Sequence, residues 1–136
     1  MADLVHKELS YKLIGILFKV YNELGGGYQE KYYQKAIALE LKNNSIKFKE
    51  QLLVDLKYNQ EKIGKYYIDF LIDNKIVLEI KATPVFYSRD IKQVIAYLKA
   101  TGLTLGILAG FSKYELKFRR ILNLLQSFIK FLLNYT

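Results

Sequence analysis

Between His6 and Leu24, the residues Leu9, Leu13, Ile16, Leu17, Val20 and Leu24 recur at three- and four-residue spacing, which gathers them on one stripe of an amphipathic helix. Gly25-Gly26-Gly27 follows and supplies its stop. A second stripe, Tyr33, Ile37 and Leu41, predicts a helix from about Tyr28 to Asn43, closed by Asn43-Asn44-Ser45. From Phe48 to Lys81 the rhythm shortens to two residues and β-branched and aromatic side chains dominate. That pattern predicts strands near Gln51–Tyr58, Lys65–Ile72 and Lys75–Lys81, with turns at Asn59-Gln60 and Asp73-Asn74. Pro84 cannot continue a central strand. Ser88 can then cap a helix running to Thr101, with Ile91, Val94, Ile95 and Leu98 as its buried stripe and Gly102 as its stop. Leu103–Ala109 is a nearly continuous apolar run, as expected of a strand covered on both faces, and Tyr114–Phe118 alternates as a shorter strand beside it. From about 120 to 134, Leu124, Leu125, Phe128, Phe131 and Leu132 line one side of an apolar C-terminal helix.

The resulting order is ααβββαββα, an α/β architecture in which a mixed sheet is flanked by helices and the third strand reaches a later strand through a helical crossover. With 136 residues and no internal repeat or linker, the chain reads as a single domain, 1–136. Hydrophobic residues at 51% and aromatics at 15% exclude a disordered chain. The absence of Cys and the presence of one His, His6, exclude a disulfide framework, a thiolate nucleophile and a Cys- or His-rich zinc site. Any metal would take oxygen ligands, which selects hard cations such as magnesium or manganese. The start MADLVHKELS lacks the pattern of a secretory signal, and no apolar run approaches the roughly 20 residues of a membrane span, so a soluble cytoplasmic protein is expected. The net charge of +8 favours polyanions, nucleic acid or an anionic membrane surface. It also fits a solvated Lys-rich surface, because 18 of the 21 cations are Lys and they are spread along the chain.

The informative segment is Tyr66 to Lys81. Glu79 and Lys81 share one face of a strand whose other face carries Ile76, Leu78 and Ile80, and Asp69 interrupts another apolar strand. Register decides whether these charges meet. A two-residue loop at Asp73-Asn74 would pair Asp69 with Leu78, whereas a three-residue loop, Asp73-Asn74-Lys75, pairs Asp69 with Glu79. The second register is expected, with Asn74 or Lys75 in the left-handed position of a type I turn plus bulge. It sets two carboxylates about 5 Å apart at Cβ, where they repel unless a proton or cation lies between them. A divalent metal with Lys81 beside it answers that repulsion, although an ordinary cross-strand charge group fits the same spacing. Two further features are Glu30 and Tyr33 in the first turn after the glycine loop, and Gln93 and Tyr97 on one face of the later helix. By themselves, a helix-capping Glu and surface residues would explain them.

Together, Gly27-x-x-Glu30-x-x-Tyr33, Ile68-Asp69, Glu79-Ile80-Lys81-Ala82 and Gln93-x-x-x-Tyr97-Leu98 resemble the GxxExxY family of the PD-(D/E)XK nuclease superfamily in order and approximate spacing. The likeness covers a core of about 8–121. Ile68 stands where the superfamily's name has Pro, and the apolar extension after the core is long. The resemblance implies a restriction-endonuclease-like core, metal ligation by Asp69 and Glu79, a catalytic role for Lys81, a supporting acid in Glu30, and a site helix carrying Gln93 and Tyr97. The expected activity is hydrolysis of DNA phosphodiesters with little sequence specificity, using Mg2+ or Mn2+ held by Asp69, Glu79 and the main-chain carbonyl of Ile80. Gln93 would position water or a phosphate oxygen, and Tyr97 would pack against it or touch the nucleic acid. Arg89, Lys92 and Lys99 would contact the backbone. The competing readings are a non-catalytic nucleic-acid-binding or protein-interaction module, dimeric through the C-terminal helix, and membrane attachment through that basic, apolar helix.

Overall fold

The computed structural model describes residues 5–123 and 132–134. The first apolar stripe becomes α1 (Lys7–Leu24), and the glycine loop leads into α2 (Glu30–Asn43). A long hairpin follows, β1 (Phe48–Tyr58) and β2 (Glu61–Ile72), then β3 (Ile76–Lys81), α3 (Ser88–Thr101), β4 (Leu105–Phe111) and β5 (Leu116–Leu122). The five strands lie in chain order in one sheet. Every neighbouring pair is antiparallel except β3 and β4, which run parallel because α3 returns the chain between them. The expected mixed sheet flanked by helices is therefore the observed one.

Each face of the sheet has its own core. Leu13, Leu17 and Val20 of α1 and Tyr33, Ile37 and Leu41 of α2 pack on Phe70, Leu78, Ile80, Ile107 and Phe111. On the opposite face, Val94, Tyr97 and Leu98 of α3 cover Ile68, Val77, Leu108 and Ile121. Full burial of a Leu or Ile contributes about 1.5–3 kcal/mol, so both helical layers are held chiefly by their stripes. β4 is buried throughout, as its unbroken apolar run predicts.

The β1–β2 hairpin changes face partway along. Phe48, Phe70 and Ile72 pack on the α1/α2 side, yet Leu52, Val54, Tyr66 and Ile68, also even-numbered, pack on the α3 side. A regular strand cannot do this. The break sits at Gln51, whose φ is 51°, opposite Asp69; pairing runs Glu50 to Phe70 and Leu52 to Ile68 on either side of it. The outer half of the hairpin can thus wrap over α3, and Asp69 is left at the hinge.

Several boundaries differ from those the sequence predicts. α2 begins at Glu30 rather than Tyr28, because Tyr28 remains in the glycine loop with its N–H donated to the Tyr33 hydroxyl at 3.3 Å. Tyr87, not Ser88, is the N-cap of α3: its N–H is taken by the Asp90 carboxylate at 3.0 Å. In the turn, Asn74 takes the expected left-handed backbone, with φ 55°, and Asp73 joins it at φ 50°. The helix expected from 120 is corrected more strongly, since Arg120 to Leu122 belong to β5. Gly106 pairs with Ile121 and Leu105 with Leu122, and the Arg120 guanidinium reaches back to the Ser10 hydroxyl and the Val5 carbonyl. Residues 132–134 are helical, and the rest of that expected helix lies outside the described residues.

Candidate active site

Ile68 and Phe70 are buried hydrophobes, and a covered strand would ordinarily place a third between them. Asp69 stands there instead, only 8% exposed, and Glu79 on β3 is only 3% exposed. The β2–β3 pairs are Ile72 with Ile76, Leu71 with Val77 and Phe70 with Leu78, which is the register of the three-residue loop. Beyond Phe70 and Leu78 the main-chain ladder stops and the two carboxylates take over. The Asp69 N–H donates to Glu79 Oε1 at 3.0 Å, and the Ile80 N–H donates to Asp69 Oδ2 at 2.7 Å. Each acid is therefore locked to the other's strand.

From α2, Gln34 Nε2 donates to Asp69 Oδ1 at 2.9 Å and to Glu30 Oε1 at 3.2 Å, which ties Glu30 into the same group. Gln51 Nε2 adds a longer contact to Asp69 Oδ1 at 3.4 Å. Lys81, on the face of β3 that carries Glu79, has its ammonium 3.8 Å from Asp90 Oδ1, and Asp90 is itself buried at the start of α3. Lys81 thus pairs with Asp90 and lies near enough to Glu30 and Glu79 for its charge to act on both. Burial, then the hydrogen bond and charge of Asp69, push Glu79 up to about 9, with Lys81 pulling the other way. Burial, then the Asp69 charge, raise Glu30 as well.

That charge balance suits a cation. The upward push on Glu79 is the expected consequence of two carboxyls that resist ionising together in a dry gap, which a proton or a cation relieves. Among the described residues no three acidic or His side chains form a group that could hold a metal alone. A hard cation such as magnesium does not need one, since it is commonly held by one or two carboxylates with water and substrate phosphate completing the shell. The Ile80 N–H points toward β2, and in a strand the carbonyl of the same residue points to the same edge. The donor set therefore fits a divalent ion held by Asp69, Glu79 and the Ile80 carbonyl.

A sequence model of the PD-(D/E)XK nuclease superfamily matches residues 7–121. The chain belongs to the PD-(D/E)XK nuclease superfamily. Among solved structures, SSO0001 is similar at 21% identity and a TM-score of 0.54, over 68% of this chain and 50% of that one, a likeness of fold. An alkaline exonuclease from Laribacter hongkongensis is similar at 15% identity and a TM-score of 0.48, over 68% of this chain and 56% of that one. The chain thus spans about half the length of these solved relatives. No curated protein matches it.

Members of the PD-(D/E)XK superfamily generally use divalent metals. The fold brings Asp69 and Glu79 together across β2 and β3, with Lys81 two residues further along the same face of β3. Gln93 contacts none of these side chains directly; its amide is 3.4 Å from the Tyr67 carbonyl, two residues before Asp69. Tyr97 lies one turn further along α3 and is 3% exposed in the core under that helix. It lines a separate groove of about 640 Å³ between α3 and the outer hairpin, together with Leu52, Val54, Tyr66, Lys57 and Lys99. None of the clustered acids lines that groove. Arg89, Lys92 and Lys99 are exposed on α3.

Tyr33 is fully buried, stacked on Phe111 at 4.5 Å, and its hydroxyl donates to the Gly25 carbonyl at 2.7 Å. It pins the glycine loop rather than facing the acids. Gln34 and Asp90 are site residues that the sequence reading passed over. Signals for both were present: Gln34 is one helical turn after Glu30, and Asp90 stands three residues after the N-cap, where an acid closes a capping box.

Proposed function

We propose that this chain is a metal-dependent deoxyribonuclease of the GxxExxY type that hydrolyses DNA phosphodiester bonds with little sequence specificity, acting in the cytoplasm. The observation that carries the reading is the pair of buried carboxylates, Asp69 and Glu79, interlocked across the end of the β2–β3 ladder with Lys81 beside them. An ordinary surface charge group would not be buried, and would not push Glu79 upward as this one does.

Asp69, Glu79 and the Ile80 carbonyl would hold magnesium or manganese, which supplies a more acidic water and offsets charge developing on the scissile phosphate. Lys81, steadied by Asp90, would direct its ammonium at the attacking water or a phosphate oxygen. Glu30, linked to Asp69 through Gln34 and raised by burial, is suited to exchange a proton with that water. Gln93 would hydrogen-bond a phosphate oxygen, and the buried Tyr97 would hold the same helix in place from beneath. Arg89, Lys92 and Lys99 would bind phosphates without reading bases. Among the described residues no helix is long and apolar enough to cross a membrane.

The test is cleavage of labelled single-stranded, duplex and branched DNA with magnesium or manganese, comparing wild type with Asp69→Ala and Lys81→Ala. Cutting that needs the metal and falls by at least about 100-fold in both variants is expected. Cutting that persists equally in folded variants would refute the assignment.

A further inference from the structure

Beside the acidic group lies a second cavity, of about 300 Å³, walled by Gly27, Tyr28, Ala82, Pro84, Lys113 and Tyr114. It adjoins the site along the chain twice over: Ala82 directly follows Lys81, and Tyr28 precedes Glu30 by two residues. Its walls come from three loops in close contact with their neighbours. A Cβ on Gly26 would lie 2.5 Å from the Lys113 carbonyl oxygen, so the glycine loop rests directly on the β4–β5 turn. A Cβ on Gly110 would lie 2.8 Å from the Phe86 ring and 3.1 Å from the Thr83 carbonyl, so the loop carrying Pro84 is seated on β4 in the same way. Lys117 Nζ also donates to the Pro84 carbonyl at 3.2 Å.

Phe111 closes the cavity from the core side, whereas the other two rings that line it lie largely outside the core. Tyr28 is 48% exposed and Tyr114 is 84% exposed. Cations ride on the aromatic rings at this end of the sheet from three separate elements: Lys31 on Tyr32 at 5.2 Å, Arg89 on Tyr87 at 4.8 Å and Lys113 on Tyr114 at 5.5 Å. Tyr28 links outward to Tyr32 and inward to the buried Tyr33, with ring centroids 6.3 and 6.0 Å apart. Exposed aromatic faces interleaved with positive charge suit a polyanion that also offers flat apolar rings. An unpaired nucleic-acid strand does so; a duplex presents phosphates but keeps its base faces stacked inside. The cavity volume is at the lower end of small-molecule pockets, suited to a single ring system such as one base.

We propose that the site takes an unpaired DNA strand, with one base entering the cavity between Tyr28, Pro84 and Tyr114 and the neighbouring phosphates lying against Lys31, Lys113 and Arg89. This deepens the nuclease reading and rests on its nucleic-acid part, so its test is binding without metal. The full chain is titrated in EDTA against fluorescein-labelled oligo-dT of about 16 nucleotides and against a hairpin duplex of equal length, with anisotropy as the readout. Oligo-dT should bind at least about tenfold tighter than the duplex. Tyr114→Ala and Tyr28→Ala should each weaken oligo-dT by roughly 5- to 100-fold, the range for losing one stacked base, and shift the duplex less than about twofold. Tyr114→Phe, which keeps the ring, should bind like wild type. Equal affinity for both probes, or an equal loss on both in Tyr114→Ala, or no loss on oligo-dT, would overturn the proposal. A strand preference in a protein that never cuts would refute the nuclease reading while supporting this one.

Discussion

At the scale of single residues, the decisive group is a carboxyl that burial pushes toward its protonated form. Burial, then the hydrogen bond and charge of Asp69, push the Glu79 carboxyl up to about 9 in the folded protein, from about 4.5 when exposed. The folded state therefore binds this proton more tightly than the unfolded chain does. Its contribution to stability is complete below about pH 4.5 and declines as pH rises toward 9. Burial and then Asp69 set that sign, and Lys81 opposes it. Thermal unfolding in EDTA between pH 5 and pH 9 should show the decline in wild type and a flatter profile in Glu79→Gln, whose neutral amide replaces the neutral acid. A wild-type profile as flat as the variant's would contradict the assignment of this proton to Glu79. The pairing of Asp69 with Glu79 was legible because Asp73-Asn74-Lys75 allows a loop that aligns two charges otherwise stranded among hydrophobes. Helical spacing links Gln34 to Glu30, but its reach to Asp69 depends on α2 lying over the end of the β2–β3 ladder, which no local pattern encodes.

At the scale of elements, the helices and strands followed from their periods, and the errors arose where tertiary pairing overrode a local pattern. Arg120, Ile121 and Leu122 sit next to a strongly apolar stretch that reads as helix. They are strand because β4 needs an antiparallel partner and because Arg120 reaches across to α1. The hinge of the β1–β2 hairpin was also hidden, as Gln51 is not a residue that signals a left-handed backbone. The seating of α3 on β4 can be tested directly. A Cβ on Gly106 would lie 2.4 Å from Val94 Cγ1, so Gly106→Ala should destabilise by about 1–3 kcal/mol through overpacking. In a Val94→Ala background the same change should cost less, giving a coupling of about 0.5–3 kcal/mol in a double-mutant cycle read by urea denaturation. Strict additivity would mean that α3 does not rest on Gly106.

At the scale of the whole molecule, five strands in chain order, with a single parallel pair made by α3, bring an acid pair, a Lys and the starts of α2 and α3 to one end of the sheet. The sheet order was legible in outline from the crossover; the superfamily was legible because four short motifs kept their order. The net charge of +8 gives the surface a general attraction for phosphates. Replacing the exposed Arg89 by Ala should weaken DNA binding similarly for unrelated sequences and lower the salt slope by about one unit, read from affinities at several salt concentrations. A loss confined to one sequence would instead mean base readout at that position. The most direct test of the central claim, a divalent-cation site built by Asp69 and Glu79, is calorimetric titration of manganese into the folded wild type and into Glu79→Gln. The account predicts saturable binding to wild type, competed by magnesium and abolished in the variant. Equal binding by both proteins, or none by wild type, would contradict it.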